Sequence, residues 1–186
     1  MHLPRSLKKA MKKTPLSVRC DTAFVDVMAG CSTTERPGQG GTWITDEMVA
    51  GYAALHAEGI AHSIECWQGD ELVGGLYGLS FGDAFFGESM FARAPNASKI
   101  AFATFLANAL HWGISLVDCQ VYTDHLARFG AEEWPRDDYL DALAVALDAD
   151  TRLGPWQIEL GPKEAAAALG SLEAQTTRER ATQEEE

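Results

Sequence analysis

Three apolar segments follow one another at 62–67, 72–80 and 84–92, and they constrain the fold more than any other feature. The link at 68–70 is three residues long and carries Gly69. So short a link joins antiparallel neighbours only, because a parallel return needs a dozen residues or more. The centre of the chain therefore reads as an antiparallel meander. A helix opens at Asn96 or Ser98, with Phe102, Phe105, Leu106, Ala109 and Leu110 at the spacing of a core-facing stripe, and Gly113 ends it. A further apolar run, 116–121, reads as a strand behind it.

Upstream, 4–13 reads as a basic helix and 16–20 as a brief strand. Asp21 is the expected N-cap of a helix through Ala29, with Ala23, Phe24, Val27 and Met28 as its stripe. A loop rich in Thr, Pro and Gly spans 32–41. Thr45 then caps a helix with Asp46 and Glu47 in its first turn and Gly59 at its end. Thr123 caps a short helix to Phe129, and 136–147 forms another through Tyr139, Leu140, Leu143 and Leu147. The expected class is α+β, a mixed and mainly antiparallel sheet flanked by helices. Residues 1–150 are read as the main domain and 151–186 as an extension, largely disordered from about 161.

Composition fits one soluble domain, with 186 residues, 46% apolar and 23% charged. No run nears the roughly 20 apolar residues of a membrane span, and no apolar segment follows the basic start as a secretory signal requires. Cys20, Cys31, Cys66 and Cys119 are scattered without CxxC or Cys/His spacing, so reduced thiols in the cytoplasm are expected, with no metal site. The net charge of −12 is uneven. Six of the 15 basic side chains (Arg5, Lys8, Lys9, Lys12, Lys13, Arg19) fall in residues 1–19 with no acid, leaving nine against 27, a net of −18. A basic arm on an acidic body suits a polyanion held at one edge, or is simply a solvated helix face.

Two strand-like runs carry groups that an apolar strand should not. In LVDCQV, strand alternation points Asp118 and Gln120 the same way; in FFGESMF, Glu88 shares a face with Phe86 and Met90. A carboxylate so placed must find a donor or shift its pKa. Pattern alone leaves two readings open, polar residues that bind backbone and a chemical site.

The words HLPRSLKK, GTWIT, GYAALHAEGIAHSIECW, LVGGLYG, FFGESMF, NASK, DCQVYTDHLARFGA and PRDDYL, in that order from His2 to Leu140, resemble the leucyl/phenylalanyl-tRNA–protein transferase family. The resemblance implies an acetyltransferase-like fold. It also implies transfer of leucine or phenylalanine, less often methionine, from aminoacyl-tRNA to proteins beginning with Arg or Lys, which marks them for N-degron proteolysis. No metal, ATP or other cofactor is implied, since the aminoacyl ester is already activated, and a cytoplasmic monomer without membrane attachment is expected. On this resemblance Asp118 orients the basic N-terminus and draws its proton through Gln120, and Glu88 orients the aminoacyl end. Leu76, Phe85, Met90, Phe105 and Val117 line the apolar side-chain pocket. Trp43, with Tyr52 nearby, stacks on the terminal adenosine of the tRNA, and Arg5, Lys8, Lys9, Lys12 and Lys13 meet its phosphates. His62 and His125 fall in family words and are expected to be hydrogen-bonded structural residues.

The sequence departs from the family in two places. A smaller domain with a WxSPxxR motif and a second tryptophan usually precedes the basic stretch, whereas Met1 here stands directly before His2; and the serine of HxSRS is Pro4. Two other classes compete. A coenzyme-A-dependent acetyltransferase would need a glycine-rich phosphate loop before the central helix, where this chain has ARAPNASK. A nonenzymatic RNA-binding or degradation-adaptor module would have no need of Asp118, Gln120 and Glu88.

Overall fold

The computed structural model describes residues 2–34 and 42–184, with side chains described to 176. The loop expected at 32–41 lies from residue 35 on outside the described residues. In chain order the elements are α1 (Arg5–Lys13), β1 (Ser17–Cys20), α2 (Phe24–Ser32), α3 (Asp46–Ala57), β2 (Ala61–Gln68), β3 (Glu71–Phe81) and β4 (Ala84–Ala92). After them come α4 (Ala97–Trp112), β5 (Leu116–Asp118), α5 (Asp124–Ala127), α6 (Arg136–Leu147) and α7 (Pro162–Glu184). One five-stranded sheet has the order β1-β2-β3-β4-β5. The first four strands pair antiparallel, as the short β2–β3 and β3–β4 links require of those two pairs, and β5 joins β4 in parallel after the α4 crossover.

The sheet buries both faces. On one, Ile64, Leu76 and Phe85 pack with Phe105 of α4, Leu7 and Met11 of α1, and Leu169 of α7. On the other, Tyr77 and Phe91 meet Phe24, Val27 and Met28 of α2, with Tyr52 of α3 packed alongside. The expected basic arm is therefore no arm: Leu3, Leu7 and Met11 are buried and anchor α1 in the core.

The disorder expected from about 161 is not found either. Helix α7 packs on α4 and α1, with Ala165, Ala166 and Leu169 buried. The reason lies in α4, which is buried from Ala97 to Ala109 at every position but Lys99. The stripe of Phe102, Phe105 and Leu106 covers one side, and the alanines on the rest of the helix need a second apolar cover. An alanine-rich helix is a good one, since alanine has the highest helix propensity and allows close approach. The approach to α7 is fixed as well. Asn108 Oδ1 accepts from the N–H groups of Glu159 and Leu160 (2.9 Å each), and Trp156 lies in the core, stacked on His62 at 3.7 Å.

Asp21 does not cap α2. The helix begins at Phe24, and the N–H groups of Thr22 and Ala23 donate instead to the buried carboxylate of Glu65 on β2. Asp21, at φ 57°, accepts from Ser63 and Trp156 N–H and pairs with His62 Nδ1 at 2.8 Å. Thr45 caps α3 as expected, accepting from Met48 N–H.

Candidate active site

The meander carries one irregularity that matters. Tyr77 pairs with Ser89 and Gly78 with Gly87, so Glu88 is the extra residue of a β-bulge in β4. The bulge flips the parity of the strand. Met90 pairs with Leu76 toward the α4 core, whereas Phe86 pairs with Leu79 on the opposite face. Glu88, Phe86 and Met90 therefore do not share one face, because alternation does not survive an inserted residue. Gly78 makes room for the bulge: a Cβ there would lie 2.3 Å from the Phe86 carbonyl oxygen and 2.5 Å from the Phe85 ring. Glu88 meets Tyr52 of α3. Burial first, then the charge of Glu88 and a hydrogen bond to it, push the Tyr52 phenol up to about 12.

Asp118 and Gln120 are brought together by a turn and not by strand alternation. Strand β5 stops at Asp118, and Gln120 takes a left-handed φ of 60°. Asp118 Oδ1 accepts from Gln120 N–H at 2.7 Å, and Val121 N–H reaches back to the Cys119 carbonyl at 2.7 Å, closing a three-residue γ-turn. A glutamine held so is strained, and such strain collects at functional sites. The Gln120 side chain donates through Nε2 to the Gly87 carbonyl at 2.9 Å, so it bridges to the bulge beside Glu88.

The second Asp118 oxygen accepts from the Tyr139 hydroxyl of α6 at 2.7 Å. That hydrogen bond, ahead of burial and the carboxylate charge, pushes Tyr139 up to about 12. The sequence pattern places Tyr139 only in an amphipathic stripe, although it lies in the PRDDYL word. Beside it, burial and then the Asp118 charge push the Cys119 thiol up, which keeps it from serving as a thiolate nucleophile. All four cysteines are free thiols.

Asp118, Gln120 and Tyr139 line a cleft of about 880 Å³ with an apolar floor that includes Phe102, Leu106, Ala109 and Val117, and with Glu132, Glu133 and Trp134 also lining it. Of the five residues expected to line a side-chain pocket, Val117 alone lines this cleft. Leu76, Phe85 and Phe105 are fully enclosed in the core, and Met90 is half-buried against it. The spacing signal that found Phe102, Leu106 and Ala109 identified a core stripe correctly, but one end of that stripe is open to the cleft.

The remaining candidates lie elsewhere. Trp43 is 42% exposed beside the buried Ile44, so it does not anchor the core. Arg5, Lys9, Lys12 and Lys13 are exposed on α1, while Lys8 lies half-buried with its ammonium over Gly170 of α7. His62 is held through Nδ1 by Asp21, whereas no hydrogen bond to the His125 ring is found among the described residues, and the Nε2 of each is buried without a partner there. Among those residues no cluster of His, Cys, Asp and Glu is arranged to hold a metal ion, and no helix is long and apolar enough to cross a membrane.

The α+β domain thus sets a carboxylate, an amide and a tyrosine at the mouth of an apolar cleft. The family profile of the leucyl/phenylalanyl-tRNA protein transferases matches residues 1–144. The leucyl/phenylalanyl-tRNA–protein transferase of Myxococcus xanthus is 57% identical over 156 residues, 84% of this chain and 67% of its own length. Those of Anaeromyxobacter dehalogenans and Nitratidesulfovibrio vulgaris are 54% and 49% identical, over 86% and 85% of this chain and 68% of each relative. The chain belongs to the leucyl/phenylalanyl-tRNA–protein transferase family.

Proposed function

We propose that the protein moves leucine or phenylalanine, less often methionine, from aminoacyl-tRNA to the α-amino group of proteins beginning with Arg or Lys, marking them for proteolysis. The observation that carries this reading is the pairing, in a member of this family, of Asp118, Gln120 and Tyr139 with an apolar cleft at the open edge of the sheet. In the reaction the amine nitrogen attacks the ester carbonyl carbon. A C–N bond forms, the C–O bond to the ribose breaks, the nitrogen loses a proton and the ribose oxygen gains one. The ester is already activated, so the step needs neither ATP nor a metal. What it needs is a neutral, oriented amine and a stabilised oxyanion.

Asp118 is suited to drawing in a basic N-terminus. Both its oxygens are held by donors, Gln120 N–H and the Tyr139 hydroxyl, which fixes the carboxylate in place. Gln120 is clamped through Nε2, and its amide oxygen has no hydrogen-bond partner among the described residues, so it suits an acceptor for the amine proton on its way to Asp118. Glu88, beside that clamp, suits the α-amine of the transferred residue. Phe102, Leu106, Ala109 and Val117 suit its side chain, with discrimination of about 1–3 kcal/mol per methylene-sized difference. Trp43 is free to stack on an unpaired base, and the exposed cations of α1 face solvent where phosphates can reach them. Glu132 and Glu133 on the cleft wall favour a cationic acceptor side chain. A cytoplasmic monomer is part of the proposal, as is an acetyltransferase-like ancestry, which the meander–helix–parallel-strand order supports.

Transfer of labelled leucine from leucyl-tRNA to a peptide beginning with arginine tests the reading. Transfer by the native chain that disappears in Asp118→Ala is the expected result. Absence of transfer of leucine, phenylalanine and methionine alike would overturn it.

A further inference from the structure

A second, smaller cavity of about 110 Å³ sits where α1, the start of α4 and α5 meet, lined by Pro4, Ser6, Leu7, Asn96, Lys99, His125, Arg128 and Phe129. It is far below the roughly 300–1,000 Å³ of small-molecule sites and suits a single tetrahedral oxyanion. Its charge is unusual for this chain. Acidic residues outnumber basic ones 27 to 15, yet two cations and a histidine converge here without one carboxylate in the lining. Among the described residues neither Lys99 nor Arg128 makes an ion pair. The buried His125 Nε2 has no hydrogen-bond partner among the described residues. Helix α4, 16 residues long, follows Asn96 in a left-handed conformation; the Ala97 N–H donates to the Ala94 carbonyl at 3.2 Å, and the Asn96 side chain caps none of the first-turn N–H groups. Burial, then Lys99, then Arg128, hold the His125 pKa below its ordinary value, and a bound anion would reverse the last two causes.

The cavity is also placed with respect to the reaction. Phe129 lines both it and the cleft, so an anion here lies one side chain away from the proposed aminoacyl site. Leu7 and Ser6 belong to α1, the helix that also carries the exposed cations Arg5, Lys9, Lys12 and Lys13.

We propose that this pocket holds one phosphate group of the aminoacyl-tRNA backbone near its 3′ end, with Lys99 and Arg128 as counter-ions and His125, Ser6 and the α4 N-terminus as further donors. The proposal rests on the transferase reading above. Free phosphate offers the same chemistry, and the two sources are separable.

The test measures affinity for a leucine-tRNA acceptor-stem minihelix across a salt series, for the native chain and for Lys99→Gln, Arg128→Gln, the double variant and Arg128→Lys. Each neutral variant should weaken binding about threefold to tenfold and lower the slope of log affinity against log salt by about one. The double variant should also lose about one and not two, because both cations serve one phosphate. Arg128→Lys should keep the slope, which separates lost charge from damaged folding. A parallel arm adds inorganic phosphate to RNA-free protein and follows the His125 imidazole by NMR; a shift in the native chain that is lost in the double variant is expected. Unchanged slopes overturn the proposal. If phosphate still moves His125 in that case, the pocket takes free phosphate and not RNA. A native chain that binds no minihelix at all would instead sink the transferase reading, with the phosphate arm still reporting on the pocket.

Discussion

Two carboxylate sites stand at opposite edges of the sheet and behave in opposite ways. At the β1–β2 edge, Glu65 is fully buried and accepts from Thr22 N–H and hydroxyl, Ala23 N–H, the Ser63 hydroxyl and Trp67 Nε1. Asp21 beside it is as fully engaged with Ser63, Trp156 and His62. At the β4–β5 edge, Asp118 and Glu88 are half-exposed, meet tyrosine hydroxyls, and are mounted on a γ-turn and a bulge. The first pair has its lone pairs filled by backbone and close packing, so its charge is used to hold α2 and the C-terminal segment in place. The second pair is oriented but left half-exposed, Asp118 open to the cleft and Glu88 against Tyr52. Saturation marks a structural carboxylate, and orientation without enclosure marks one available for chemistry.

The largest test of that contrast is Asp118→Asn. It keeps the shape and the two donors' neighbourhood but removes the charge, and transfer to the arginine peptide should fall by about 10²–10⁴-fold with an unchanged melting temperature. A loss of stability as large as the loss of rate would place Asp118 with Glu65 instead. The converse substitution, Glu65→Ala, should leave several buried donors without an acceptor and cost about 3 kcal/mol or more in urea unfolding. The rate per folded molecule should stay within about threefold of native, which is the reading that distinguishes scaffold from site.

Gly78→Ala probes how far the two edges are independent. The added methyl would press on the Phe86 carbonyl and the Phe85 ring, so the bulge must shift. Overpacking of this kind costs about 1–3 kcal/mol. It should also lower transfer by more than the stability loss explains, because Glu88 and the Gly87 carbonyl that holds Gln120 move with the bulge. Transfer unaffected in the folded fraction would mean that the bulge serves the sheet alone.

Much of the fold was legible because its signals are local. Short links forced the meander, the stripe at Phe102, Phe105 and Leu106 forced the central helix, and Thr45 marked the start of α3. The errors came where one residue changes the rule. An inserted Glu88 flips the faces of a strand, and a left-handed Gln120 replaces alternation by a turn; neither position carries the glycine that usually announces such geometry. The pairing of Glu65 with the start of α2 spans more than forty residues and leaves no periodic trace. Helix α7 is hidden in the sequence for a different reason. Its alanines look like low complexity until the unmatched alanine faces of α4 are counted as surface that needs covering.

The smallest expected effect needs no enzyme assay and bears on the open edge directly. Tyr52 and Tyr139 are both pushed up to about 12, Tyr52 chiefly by burial with help from Glu88, Tyr139 chiefly by its hydrogen bond to Asp118. A phenol whose folded pKa lies above its unfolded value of about 10 binds its proton more tightly in the native state. Its contribution to stability is complete below pH 10 and is lost as pH rises from there through 12. An ultraviolet titration of the folded protein should therefore place these two tyrosines among the late-ionising ones. Tyr139→Phe should remove one of them, and Asp118→Asn should return that same tyrosine toward 10. Glu88→Gln should move Tyr52 only part of the way, since burial, its main cause, stays. If Asp118→Asn leaves both late tyrosines in place, the carboxylate is not held by Tyr139 in solution. The oriented but open geometry that separates this edge from the saturated one would then be lost.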